Sequence, residues 1–297
     1  MTIGALRDLV MRLSVSTGAL AALGTALQAR VRGVPLDPAI KTEIDQLLVA
    51  LGTKERLDEI DAADLKPVLA EIRTTLLQDA KLLLGPTHAG WTHTEAAILQ
   101  STGEASAAFP LLLKRTIAPR LADLAQRLES PGAAFLDVGV GVGGISIAMA
   151  RLWPSLHVVG IDPWRPGLTL ALENVTAAGL DRRIELREQS AQELSDTQAF
   201  DLAFFPAFFI AEAVIEAALG RVHRALRSGG WILFATQSPG RDALAASVAR
   251  LRTILWGGHP RTPAEAEALL DQAGFSQIQT LPSGSSARAS ISAGRRS

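Results

Sequence analysis

The sequence predicts an α/β fold in its C-terminal part, a mostly parallel sheet flanked by helices, preceded by an all-helical N-terminal region. Three observations carry this. Phe135-Leu136-Asp137-Val138-Gly139-Val140-Gly141-Val142-Gly143-Gly144 runs from an apolar strand straight into a glycine-rich loop. Beyond it, apolar runs of strand length alternate with stretches of helical periodicity, the mark of parallel strands joined by crossover helices. Before it, nothing in residues 1 to about 128 alternates like a sheet.

The N-terminal region reads as consecutive helices: one near 4–31, one near 38–50 opened by Asp37-Pro38, one near 62–84, and one or two from 94 to 128. Leu13 to Ala29 carries no charge, yet it holds serine, threonine, glycine and glutamine, and the uncharged run is too short to span a bilayer. Leu20, Leu23, Leu27 and Val31 fall on one helical face, so a soluble amphipathic helix with no cleaved leader is expected. Glu129-Ser130-Pro131-Gly132 is the only convincing hinge, and it divides a helical domain, 1–129, from a ligand-binding domain, 130–297.

After the glycine loop, Ile145, Ala148, Met149 and Leu152 form a helical stripe ended by Pro154. His157-Val158-Val159-Gly160-Ile161 reads as a buried parallel strand that stops at Asp162. Ile184-Glu185-Leu186-Arg187 alternates as a third strand and Phe200 to Phe205 forms a fourth. A helix follows with Val214, Ile215, Ala218, Leu219, Val222 and Leu226 on its apolar side; Gly229-Gly230 closes it before the strand Trp231 to Ala235. Thr262-Pro263-Ala264-Glu265 is a capping box with proline at the first helical position, and Gly274 ends that helix. Two last strands, near Phe275 to Thr280 and Ala287 to Ala293, flank Pro282-Ser283-Gly284.

Gly139, Gly141 and Gly143 let the backbone turn tightly and approach a ligand closely, while the next helix offers free N–H groups. Asp162, ending the second strand, can accept both hydroxyls of a ribose, as in a Rossmann-like first half. Two ligands compete for this arrangement, because Gly139, Gly141 and Gly144 also satisfy the dinucleotide spacing. Asp137, two residues before Gly139, discriminates between them: it repels a diphosphate but not a positively charged cofactor. S-adenosylmethionine has a sulfonium, an ammonium and no phosphate, so an acidic glycine loop suits it better than NAD.

On these residues, 131–297 resembles a class I S-adenosylmethionine-dependent methyltransferase of the small-molecule type. The resemblance implies a Rossmann-like seven-stranded sheet with a C-terminal antiparallel hairpin, which a dinucleotide Rossmann fold lacks. It implies cofactor contacts at Asp137, Gly139, Gly141, Gly143 and Asp162, at Pro163 and Trp164 beside the adenine, and at Gln189, Ser190, Phe205 and Pro206 after the third and fourth strands. Ser190 stands where the family commonly has an aspartate for the adenine amino group; a hydroxyl or the Gln189 amide can still hydrogen-bond the base. The family plan further implies that the helical region covers the cofactor cleft and pairs two subunits, so a homodimer is expected.

Composition bounds the function from outside. The 297 residues suffice for two domains, and 48% apolar content can fill both cores. A net charge of −1 offers no broad field for nucleic acid or membrane. No basic recognition helix supports a DNA-binding reading of the helical half. The absence of cysteine fits a reducing cytoplasm and excludes a thiolate metal site; no cluster of carboxylates and histidines has metal-ligand spacing. Tyrosine is absent, so no phenolic base exists.

Methyl transfer needs in-line positioning in a site that excludes water, and a general base only when the acceptor is protonated. Of five histidines, His157 begins the second strand, about 16 Å from the strand ends where ligands bind, and His223 sits within a helix as a solvated flank. His93 and His259, in loops at the open end, are the catalytic candidates, with His88 behind them. Trp91 is either a substrate wall or a packing anchor, and Phe208 and Phe209 either line the acceptor or fill the core. Methyltransferases of exocyclic base amines resemble an Asn/Asp-Pro-Pro-aromatic pattern at the segment that here reads Phe205-Pro206-Ala207-Phe208-Phe209. The acceptor expected is therefore an oxygen, nitrogen or carbon of a small, mostly apolar metabolite, aromatic or not. The alternatives are a cyclase or other enzyme that uses the bound sulfonium without moving its methyl group, a methyltransferase of a macromolecule, or a non-catalytic subunit with a retained cofactor pocket.

Overall fold

The computed structural model describes residues 1–85, 88–238, 240–282 and 289–297. The chain divides into two compact units, one of Met1–Gly85 with Glu104–Ser106, the other of the remaining described residues. Segment 88–129, grouped with the helical half on sequence, thus belongs with the sheet apart from Glu104–Ser106.

The first unit holds α1 (Ile3–Arg32), α2 (Pro38–Ala50), α3 (Lys54–Asp58) and α4 (Ala62–Leu84). Asp37 caps α2 by accepting from the N–H groups of Ala39 and Ile40, with Pro38 at the first position as expected. The core is the α1/α4 contact: Leu27, Leu65, Leu69 and Ile72 are buried, ringed by Leu20, Leu23, Val31, Leu57 and Leu76. The expected stripe on α1 is therefore the one that packs. Gly24 lets the helices close, since a Cβ there would sit 3.0 Å from Ile72 Cγ2. α1 is longer than its uncharged run: it starts at Ile3, and by length and composition it is the one helix among the described residues able to cross a membrane. The reading of this segment as too short is corrected by the apolar residues Ile3, Leu6, Leu9, Val10 and Met11, which extend the helix toward the N-terminus.

The second unit opens with α5 (Ala96–Ser106, except its last turn) and α6 (Phe109–Leu112), then a π turn over Leu113–Ile117 and α7 (Leu124–Glu129). β1 (Ala134–Val138), α8 (Gly144–Leu152), β2 (His157–Asp162), α9 (Arg165–Ala177), β3 (Ile184–Glu188) and β4 (Phe200–Pro206) follow. The chain ends with α10 (Ile215–Ala225), β5 (Leu226–Gln237), α11 (Ala243–Leu255), α12 (Pro263–Gln272), β6 (Ser276–Thr280) and β7 (Ala289–Arg295). The sheet order is β3-β2-β1-β4-β5-β7-β6, parallel except for β7, which runs antiparallel to both neighbours. This is the seven-stranded sheet with a C-terminal hairpin that the resemblance implies; the hairpin turn at Ser283-Gly284 lies outside the described residues.

The two faces of the sheet carry separate cores. Phe135, Val158, Leu202, Trp231 and Leu233 pack with α8 through Ile145, Met149 and Ala150. Leu136, Val159, Phe205, Ile232 and Phe234 pack with α10 through Ala218, Leu219 and Val222 and with α12 through Ala266 and Leu270. Gly229 and Gly230 do not stop α10; they lie inside β5, where the register against β4 shifts between Phe200 and Leu202. A bulge here suits glycine, because a Cβ on Gly230 would lie 2.9 Å from the Arg227 carbonyl. His223 is also reassigned: its ring packs edge-on against Phe275 at 4.8 Å, and burial lowers its pKa, so it is no solvated flank.

Candidate active site

Parallel strands present their C-terminal ends on one side, so β1, β2 and β4 deliver the glycine loop, Asp162 and Pro206 together. The loop from Gly139 to Gly143 turns through three left-handed glycines, with φ of 70°, 55° and 81° at Gly139, Gly141 and Gly143. A Cβ at Gly141 would meet nothing within 4 Å, so that backbone edge faces open space, whereas one at Gly139 would touch Pro206 Cγ at 3.7 Å. Below the loop, Gly160 on β2 makes room: a Cβ there would come 2.6 Å from Val140 Cγ2.

Two carboxylates face this loop. Asp137 is 2% exposed and accepts a 2.6 Å hydrogen bond from the Ser146 hydroxyl in the first turn of α8. Burial pushes its pKa up to about 7, partly offset by Ser146 and reinforced by the negative charge of Asp162. Asp162, 8% exposed, accepts from the Gly141 and Trp164 N–H groups at 2.8 Å each, and burial raises its pKa against those two bonds. Asp162 thus ties the glycine loop to the end of β2. Neither carboxylate meets a cation among the described residues, and two such buried negative groups beside an open backbone edge suit a ligand bearing positive charge.

α5 closes over the loop. A Cβ on Gly144 would lie 2.1 Å from the Gly103 carbonyl, and one on Gly103 would lie 2.1 Å from Val142 Cγ2, so the backbones touch because both residues are glycine. Asn174 on α9 secures the contact, donating to the Val142 carbonyl at 2.9 Å and exchanging hydrogen bonds with the Gln100 amide at 3.0 and 3.2 Å. Asn174 and Gln100 carry no local motif, so only the fold reveals them.

Beside β4 lies an aromatic cluster. Trp91 meets His93 edge-on at 4.8 Å and Phe209 at 5.0 Å; Phe209 and Phe208 pack at 4.9 Å, and both contact Trp256, at 5.1 and 5.5 Å. The structure thus joins Trp91, His93, Phe208 and Phe209, and adds Trp256 from the end of α11. Phe208 and Phe209 are half-buried, so they are not sealed in the core. Trp164 connects this cluster to the cofactor side, its indole N–H donating to the His93 carbonyl at 2.9 Å. His259 borders it through Gly258, where a Cβ would lie 2.6 Å from the Phe208 backbone, but its own side chain is exposed. His88 is exposed too, and His157 is exposed 4.0 Å from Glu185 at the far end of β2.

Three positions differ from the expected pattern. Phe205 is fully buried and stacked on Phe234 at 5.5 Å, so its side chain is core and only its backbone reaches the strand end. The Ser190 hydroxyl donates to Glu193 at 2.6 Å, and the Gln189 amide N–H donates to the Glu193 carbonyl at 3.0 Å. Both groups offered for adenine therefore hold the short helical turn Ala191–Glu193, leaving Ser190 only as an acceptor, while Gln189 keeps its amide oxygen and its second N–H. Pro163 is exposed beside Asp162.

Residues 135–230 match the model of a family described as a methyltransferase domain. Bovine U6 snRNA (guanine-N(2))-methyltransferase THUMPD2 is 32% identical over 164 residues, 53% of this chain and 32% of that protein. Bovine acetylserotonin O-methyltransferase is 30% identical over 161 residues, 52% of this chain and 46% of that protein. The chain thus spans under half the length of both relatives. Human N-acetylserotonin methyltransferase, solved with S-adenosylmethionine, superposes with a TM-score of 0.59 at 16% identity, covering 98% of this chain and 97% of the other. With its acidic glycine loop, its antiparallel hairpin and these likenesses, the chain carries a class I S-adenosylmethionine-dependent methyltransferase domain.

Proposed function

We propose that the protein transfers the methyl group of S-adenosylmethionine to a small, largely apolar and planar acceptor, with oxygen as the first acceptor atom to test. The carrying observation is the aromatic cluster of Trp91, Phe208, Phe209 and Trp256 set at the open end of β4, one hydrogen bond from Trp164 beside Asp162. Aromatic walls bind flat apolar molecules by area and edge contacts. The segment after β4 lacks the amide or carboxylate that would align a base amine. A relative named for O-methylation of acetylserotonin supports this reading, while a relative named for U6 snRNA marks the competing one.

The cofactor fits the residues present. Asp137 and Asp162 offer negative charge to its sulfonium and ammonium groups, Asp162 retains lone pairs for ribose hydroxyls, and Gly141 leaves the loop edge open. When bound, the sulfonium supplies an activated methyl group. The chain's own part is to hold the acceptor in line, exclude water with the aromatic walls, and take a proton where the acceptor has one. His93, in edge contact with Trp91, is the first candidate for that proton; His259 is the second.

Purified protein incubated with labelled S-adenosylmethionine and a panel of phenols, aryl amines and tRNA tests this. Label in a phenol or aryl amine, lost on Trp256→Ala and slowed about 10²-fold or more by His93→Asn, is the expected result. Label in RNA alone overturns it, and conversion of an acceptor without label transfer returns the cyclase reading.

A further inference from the structure

An arginine-lined cleft of about 320 Å³ opens at the other end of the sheet, where β5 and β6 begin and β7 ends. Its walls include Arg127, Arg295, Arg296, Ser228, Ser276 and Gln277. The charge is not balanced. Asp123 is shared by Arg127 and Arg295 at 2.9 Å each, and Asp201 is shared by Arg127 at 3.6 Å and Arg227. Arg296 meets no carboxylate among the described residues; it donates to the carbonyls of Arg224, at 2.8 Å, and Leu226. Four guanidinium groups against two carboxylates leave an excess of two positive charges, or one when a carboxylate on Ser297 is counted.

The backbone around this cleft is strained. Only three non-glycine residues among those described have positive φ: Asp123 at 55°, Gln198 at 48° and Gln277 at 49°. Gln277 lines the cleft, and the other two are tied to its arginines. Asp123 bridges Arg127 and Arg295; the Gln198 N–H and Arg296 converge on the Arg224 carbonyl; Gln277 sits in a register shift of the β6–β7 ladder that turns it to the cleft. Glycine at position 229 seats the guanidiniums, since a Cβ there would lie 2.3 Å from Arg127 Nη2 and 3.1 Å from Arg295 Nη2. These three residues are exposed, and non-glycine residues held at positive φ gather at functional sites; planar guanidinium forks match oxyanions.

We propose that this cleft is a second ligand site, which takes the phosphate-type oxyanion of a small molecule on Arg127, Arg295 and Arg296. Its three lining arginines converge on a cleft of about 320 Å³, a volume that suits a compact anion rather than a nucleic-acid backbone. It lies a strand length, about 13–16 Å, from the glycine loop. S-adenosylmethionine carries no phosphate, so the two sites do not compete for one ligand.

The full chain is titrated calorimetrically with inorganic phosphate and with ribose 5-phosphate, against chloride at equal ionic strength. Arg296→Gln and Gln277→Asp are the variants: the first removes the charge that has no carboxylate partner, and the second puts a carboxylate at an exposed position whose positive φ aspartate tolerates. Saturable phosphate binding, weakened about tenfold or more by each variant while S-adenosylmethionine affinity is unchanged, is expected. Tighter binding of the sugar phosphate identifies a phosphorylated small molecule, and equal binding identifies free phosphate; either upholds the oxyanion site. Phosphate that acts no differently from chloride, or binding that both folded variants retain, overturns it.

Discussion

Asp137 is where the chemistry of a single residue is most exposed to test. Its pKa of about 7 when folded lies well above the ordinary carboxylate value, because burial disfavours the charge. A carboxyl group with a raised folded pKa stabilises the fold fully below its unfolded value, near 4, and that stability is lost as pH rises through 7. Urea unfolding without cofactor is therefore expected to show lower stability at pH 8 than at pH 5, by on the order of a few kcal/mol. Asp137→Asn shrinks that difference without abolishing it, since Asp162 is shifted the same way; an undiminished difference would remove Asp137 as its source. A cationic ligand favours the ionised form, so S-adenosylmethionine binding at pH 6 should release a proton, seen as a heat that depends on the buffer's ionisation enthalpy, and Asp137→Asn should reduce it. Asp162→Ala is expected to weaken cofactor binding by roughly 1.5–3 kcal/mol in calorimetry, and unchanged affinity would take it out of the site. Asp137, Asp162 and the glycines were legible because a ligand-binding turn is local in sequence. Trp256 was not, because its place beside Phe208 and Phe209 is decided by how α11 packs; nor was Phe205's burial, since either face of a strand buried on both sides can be core.

At the scale of elements, glycine serves two ends that mutation separates. Gly144→Ala would drive a methyl group against the Gly103 carbonyl, at 2.1 Å, where α5 crosses the start of α8. It is expected to cost about 1–3 kcal/mol in urea unfolding through overpacking. Gly141→Ala meets open space and bears only the left-handed strain of its φ of 55°, about 1–2 kcal/mol, while placing its methyl group on the open loop edge. Its main effect should thus be on cofactor affinity. If Gly144→Ala left stability unchanged, the α5–α8 contact would be looser than these distances require. Most helices and strands were legible from periodicity and caps, as the capping box of Thr262 and Glu265 shows. Three helices were not. α3 is one turn long; α9 has Pro166-Gly167 in its first turn, which look like breakers, although proline suits a first turn and Gly167 lies against the Gly141 carbonyl; α11 buries only Thr253 fully, so it has little apolar stripe. The glycine pair in β5 misled because Gly-Gly after a helix is also the mark of a helix end.

Taken as a whole, the chain carries cores of unequal size, and its tryptophans make the difference measurable. The sheet unit has two extensive cores, one on each face, whereas the first unit rests on Leu27, Leu65, Leu69 and Ile72 and the partly buried residues around them. In α1 the residues before Ala19 are exposed and contribute nothing to that core. Buried apolar area sets most of a unit's stability, so the helical unit should unfold first. Trp91, Trp153, Trp164, Trp231 and Trp256 all lie in the sheet unit, so fluorescence reports that unit alone, while circular dichroism at the helical minimum reports both. Equilibrium denaturation should therefore lose part of its helical signal at lower urea than its fluorescence. S-adenosylmethionine at a hundred times its dissociation constant should add about 2.7 kcal/mol to the later step and leave the earlier one in place. Superimposable transitions by the two probes, both moved by the cofactor, would show instead that the helical unit unfolds only together with the sheet.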